Sequence, residues 1–196
     1  MAQDWRTPEG GRDLAHLPVG QQQLAGVTYA LRDFKTSPVP SCVMLAGPGA
    51  KGPLPGEVKG LKIGGKADAL FFLHTLNRVR DWRPPQDGDR TPPAVFRYLL
   101  HYADGGTAEV PVRYGEGVDH WIAAEPAGLK NAAVAWAAPW PGDASGQQAV
   151  VYQMQWNNPR PQVEIVSMDL GYDPAAGSQY GAPVLLAITA GTQTGN

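Results

Sequence analysis

The chain of 196 residues has one cysteine, Cys42. A single thiol excludes an internal disulfide and any cysteine-rich zinc site. It leaves the compartment open, because a well-cored domain folds outside the cell without disulfides. Charge of one sign is equally scarce. Sixteen Lys and Arg residues face 18 Asp and Glu, a net charge of −2. The charges are scattered, with no basic stripe to neutralise phosphates, so neither nucleic acid nor a membrane surface is an expected partner. No apolar run approaches the roughly 18 residues of a membrane span. No apolar leader follows Met1, where the polar stretch AQDW comes next. That start suits either a trimmed domain or a cytoplasmic protein.

Catalytic signatures are also missing. There is no G-x-S-x-G elbow, and Cys42 falls in an apolar stretch where a thiol reads as an inert small hydrophobe. GPGAKG (47–52) lacks the Walker pattern, and GLKIGGKAD carries no dinucleotide fingerprint. Asp81, Asp87, Asp89, Glu116, Asp119 and Glu125 are candidates for the paired carboxylates of glycoside hydrolysis. All fall in polar loops, and no apolar pocket that would raise one acid's pKa is legible. The expectation is therefore a protein that is not an enzyme and requires no cofactor.

What the chain has is glycine and proline, 24 and 19 residues, placed between short apolar runs. This is the turn-rich punctuation of an all-β chain. Strands are predicted near 26–32, 41–47, 58–63, 68–76, 94–103, 107–114, 131–138, 147–156, 163–171 and 183–190. About ten strands with little helix point to a single β-sandwich of jelly-roll type. The sandwich occupies 26–190, with an irregular segment over 1–25 packing on it and a flexible tail over 191–196.

Period two is visible in the strands. In FRYLLHY, Phe96, Tyr98, Leu100 and Tyr102 share one face, while Arg97, Leu99 and His101 share the other. The following ADGG contains an Asp-Gly pair suited to a positive-φ hairpin turn. Pro111 cannot donate to a ladder, which predicts an edge strand or an unpaired position. DALFFLHTL is apolar on both faces and predicts a central strand covered on each side. VVYQMQW puts Val151, Gln153 and Gln155 on one face, either a solvated sheet face or the floor of a groove.

A zinc site needs three or four converging ligands. Among His74, His101, His120, Asp68 and Glu109 no spacing requires convergence. His74 reads as a hydrogen-bonded core residue and His101 as a surface or turn residue. The loops carry more. NRVRDWRPPQDGDRTPP (77–93) is a long polar segment, the kind that tends to be functional. Trp82, Trp121 and Trp140 lie in or beside loops with Arg83, Asp119 and His120. In WNNPRP, Asn158 and Arg160 either shape a turn and pair on the surface or meet a ligand. An indole covers the C–H face of a sugar while Arg, Asp, His and Asn satisfy its hydroxyls, so these eight residues form the candidate ligand site. The other reading is that each indole plugs an end of the sandwich. Trp136 and Trp156, within strands, read as core.

LPVGQQQLAGVTYALRD, GLKIGGKADALFFLHT, YLLHYADGGTAEVPVR, VAWAAPWPG, QMQWNNPRPQVEIVSMDL and APVLLAITA together resemble a domain of large secreted proteins of planctomycete-type bacteria, including glycoside hydrolases. The resemblance runs from about Asp4 to Ala190. It implies a galactose-binding-like jelly roll acting as a non-catalytic carbohydrate-binding module. The implied partners are a polysaccharide or oligosaccharide and adjacent domains of a longer parent. The implied setting is extracellular or at the cell surface, with Met1 an added start. Folds of that type often hold a structural calcium, so calcium stays possible here. The alternative is a structural, protein-interaction or self-assembly sandwich without glycan affinity.

Overall fold

The computed structural model describes residues 12–33, 35–48, 53–79, 91–92 and 94–191. Alternating apolar and polar residues, broken by Gly and Pro, form twelve strands there and no helix among the described residues. They are β1 (Gly20–Leu24), β2 (Val27–Leu31), β3 (Val43–Met44), β4 (Glu57–Gly65), β5 (Ala69–Arg78) and β6 (Ala94–Tyr102), then β7 (Thr107–Arg113), β8 (Ile122–Ala123), β9 (Ala132–Pro139), β10 (Gln148–Asn157), β11 (Ile165–Tyr172) and β12 (Gly181–Gly191). The six-stranded sheet runs β3-β12-β5-β10-β8, with β9 also on β10, the four-stranded sheet runs β4-β11-β6-β7, and β1 and β2 form a separate two-stranded sheet. The strand pairings are antiparallel, and the six- and four-stranded sheets make a β-sandwich.

The sequence predicted ten of these strands. It missed β8 and also β1, which lies inside the segment expected to be irregular and pairs with β2 across Ala25–Gly26. It also overextended β3, which keeps two residues of the predicted 41–47. Pro111 does lie in an edge strand, since β7 ends the four-stranded sheet. The ADGG turn differs in detail. Gly105 has φ 84°, whereas Asp104 is not in the left-handed region. Asp104 instead accepts from the Gly106 amide through Oδ1 at 3.0 Å. Only one positive φ is needed because the turn closes through a Tyr102–Gly106 pair, the amide of Tyr102 donating to the Gly106 carbonyl at 2.9 Å.

β5 sits between β12 and β10 and is covered on both faces, as its two-sided apolarity requires. Leu70, Phe72 and Leu76 face Phe96, Tyr98, Leu100, Val112, Met168 and Leu170 of the other sheet. Phe72 and Tyr98 stack with centroids 4.2 Å apart. Leu73 belongs to a second core, formed where β1, β2 and the segment before them pack on the outer face with Leu14, Leu17, Tyr29, Leu31, Trp121, Trp140 and Val151. The glutamine face of β10 is therefore a floor roofed by the first hairpin. The Tyr29 hydroxyl donates to Gln153 Oε1 at 2.8 Å, and Gln153 Nε2 donates to the Ala25 carbonyl. Trp136 and Trp156 are half-buried and pack against the two cores.

His74 is the buried polar group of the main core, fully inaccessible to solvent. Its Nε2 lies 2.9 Å from the Gly117 carbonyl, which can only accept, so the ring proton sits on Nε2. Its Nδ1, 2.8 Å away, then accepts from the Tyr98 hydroxyl. Burial penalises the imidazolium and pushes the His74 pKa down to about 4, the Gly117 bond opposing this only in part. The unfolded chain takes up this proton near the ordinary value of 6.5, and the folded chain refuses it until about 4. Above 6.5 the full stability is present, and it declines as pH falls toward 4, by up to about 3 kcal/mol. Urea unfolding across that range should show this loss. His74→Gln should be less stable at neutral pH but lose markedly less than the parent between the two limits.

Candidate functional site

β5 ends at Arg78, and the polar groups around that end form the first candidate site. Leu76 bridges to His120, the Leu76 amide donating to the Asp119 carbonyl and the Trp121 amide to the Leu76 carbonyl at 3.0 Å. This short parallel bridge carries Asp119 and His120 to the mouth of the sandwich. His120 Nδ1 lies 3.2 Å from both the Arg78 amide and the Leu76 carbonyl. Unprotonated it accepts from the amide, and protonated it donates to the carbonyl. The Arg78 guanidinium lies over the Tyr114 ring, 5.9 Å from the centroid. Burial raises the Tyr114 phenol above its ordinary pKa, and its hydrogen bond to the Asp119 carboxylate raises it further. Burial also raises the Tyr152 phenol, and the nearby Asp119 charge adds to that. Two phenols thus stay protonated beside one half-buried carboxylate.

Asp119 and His120, two of the eight predicted residues, are therefore brought together there. The segment holding Trp82 and Arg83 lies outside the described residues, but it leaves from this end of β5. Val79 before it donates to the Tyr180 carbonyl, and Pro92 after it accepts from Arg113 at 2.8 Å.

The other predicted residues are placed elsewhere, and three expectations are corrected. Trp121 is fully buried and Trp140 is 5% exposed. They meet edge to face at 5.7 Å, and neither turns a flat side to water. Trp121 Nε1 donates to Asn77 Oδ1, and Trp140 Nε1 donates to the Asp13 carbonyl at 2.9 Å. Arg12 covers the Trp140 ring while pairing with Asp143 at 2.9 Å. A loop tryptophan is drawn inward here because the second core needs filling, and polar neighbours satisfy its N–H. Asn158 is likewise buried and committed to the turn. It accepts from the Tyr102 hydroxyl and the Arg160 amide, and donates to the carbonyls of Ala67 and Arg160. Arg160 stacks on Tyr102 at 4.7 Å and pairs with Asp104. This pair follows the end of β10, whereas Trp121 meets its start at Val150. Most of a ten-residue strand, roughly 25 Å, separates them. The eight residues cannot form one site.

His101 lies beside Asp169 at 2.9 Å on the outer face of the four-stranded sheet. Burial works against the Asp169 carboxylate, but the Gly60 amide and His101 outweigh it and hold the pKa below the ordinary value. The β6–β7 hairpin is thus cross-linked to β11 and β4 as scaffold. Among the described residues no three His, Cys, Asp or Glu side chains converge to hold a metal ion.

A second feature escaped the sequence reading. A cleft of about 920 Å³ opens where β4 and β3, the adjoining edges of the two sheets, splay apart beside β12. Its walls include Val43, Met44, Val58, Leu61, Ile63 and Ile188, with Cys42, Arg32 and Lys62 also lining it. Burial pushes the Cys42 thiol up to about 11, so it stays protonated and is no nucleophile. The alternation of Val58, Leu61 and Ile63 with Lys59 and Lys62 was visible as a strand. That its apolar face would lack a full cover depends on the opposing strand being short.

No family model, curated protein or solved structure matches the chain.

Truncating the two internal indoles checks their assignment. Trp121→Ala and Trp140→Ala should each lose about 3–5 kcal/mol in urea unfolding. A surface indole would leave the midpoint almost unmoved.

Proposed function

We propose that this chain is a non-catalytic carbohydrate-binding module, a jelly-roll-type sandwich that recognises a sugar at the polar end of β5. The convergence of Asp119, His120, Arg78 and Tyr114 around one strand end carries the reading. The Asp119 and His120 side chains, each held by hydrogen bonds to the backbone, suit a hydroxyl-rich ligand, because they keep their geometry without further ordering cost. Asp119 accepts from two neighbours and has acceptor sites beyond them. Sugar hydroxyls fit such acceptors, and Trp82 in the adjoining segment is the candidate for the ring face. The resemblance to domains of secreted polysaccharide-degrading proteins supports the same class of partner.

Binding here is recognition at equilibrium: hydrogen bonds to hydroxyls give selectivity, and ring contact adds affinity. The burial of Trp121 and Trp140 removes two of three expected aromatic surfaces, and this favours the second reading, a protein-interaction or self-assembly module. Self-assembly through the β4 edge is opposed by Lys59 and Lys62 along it and by the positive φ of Gly60 (69°), which interrupts a flat edge.

Calorimetry of the full chain against a panel of plant and algal polysaccharides tests the proposal. Saturable binding is expected, weakened tenfold or more by Asp119→Asn, which keeps an acceptor oxygen for its neighbours, and by Trp82→Ala. Absence of binding across the panel, or binding indifferent to both variants, overturns it. A concentration-dependent oligomer in light scattering without glycan affinity supports the second reading.

A further inference from the structure

The edge cleft has a chemistry different from that of the polar end. Its wall is aliphatic, formed by such residues as Val43, Met44, Leu61, Ile63 and Ile188. Among the described residues no aromatic ring lines it, so they give a sugar or a planar ring no stacking surface. Few hydrogen-bonding side chains line it among the described residues, and these would leave most sugar hydroxyls unsatisfied. Charge decides what kind of apolar ligand fits. Among the described residues two cations, Arg32 and Lys62, line the cleft, and no carboxylate does. Both are exposed residues, and neither joins an ion pair among the described residues. The nearest acid on β4, Glu57, is already paired with Lys59 at 3.1 Å. At about 920 Å³, the cleft falls within the range of small-ligand sites.

We infer that this cleft binds a single-chain alkyl carboxylate, its tail along the aliphatic wall between β4 and β12 and its head against Arg32 and Lys62. The tail gains because each methylene leaves water for a wall that is only half-buried when the cleft is open. The head gains because both cations lack a competing ion-pair partner among the described residues. Cys42 is protonated in the wall and takes no covalent part. The site needs none of the residues at the polar end of β5, so it stands or falls independently of glycan binding.

Calorimetry of the full chain with octanoate, decanoate, dodecanoate and tetradecanoate, each below its micelle concentration, tests this. Affinity should rise about fourfold per added methylene until the cleft is filled. Dodecanol should bind at least tenfold more weakly than dodecanoate, and dodecylammonium more weakly still. The double variant Arg32→Glu, Lys62→Glu alters two exposed side chains and should keep its melting temperature while reversing the order of the carboxylate and the ammonium. Methyl NMR shifts on titration should concentrate at Val43, Met44, Leu61 and Ile63. No binding of tetradecanoate, equal binding of all three head groups, or shifts spread away from these methyls overturns the inference.

Discussion

A strand that is apolar on both faces is stable only with a layer on each side, and β5 is such a strand. Its inner residues are met by the four-stranded sheet and its outer ones by the first hairpin and the segment before it. The molecule therefore has two cores on one sheet. His74 shows how strict the inner one is. A polar ring is accepted there because Tyr98 and Gly117 satisfy both nitrogens and because the ring stays neutral. Trp121 and Trp140 show the same for the outer core, where each indole N–H has an oxygen partner.

The candidate sites follow from how this arrangement ends. Where β5 stops, the bridge from Leu76 to His120 brings a second segment alongside, and polar groups gather with backbone bonds to hold them. Where the sheets end sideways, the very short β3 faces the longer β4, and an aliphatic surface stays half open. The first place has charge and hydrogen-bonding capacity, and the second has apolar area and two cations. One scaffold thus offers two surfaces of opposite character, distant in chemistry and independent in mechanism.

The open edges carry features that bear on edge-to-edge association. β7 is blunted by Pro111, which offers no amide to a passing strand. β4 carries lysines and register shifts in its pairing with β11. Both devices cost little and oppose edge-to-edge association.

Turn punctuation and the apolar pattern of short runs alone determined the all-β class, the central place of β5 and the core role of His74, and the missing amide of Pro111 narrowed its place to an edge strand or an unpaired position. Each is a consequence of local chemistry, which is readable from the residues themselves. β1 was not readable because GQQQL has no apolar alternation, and it forms a strand by pairing with β2 over the outer core. Only the tertiary structure decided where the loop residues go. Trp121 and Trp140 have polar neighbours in sequence but apolar neighbours in space, and burial follows the second. Asp119 and His120 come to Arg78 through a bridge between distant segments, while Asn158 and Arg160 sit at the far end of β10. Alternation says which way a strand residue points. It says nothing of which strand ends meet, because that depends on the order in which whole sheets are assembled.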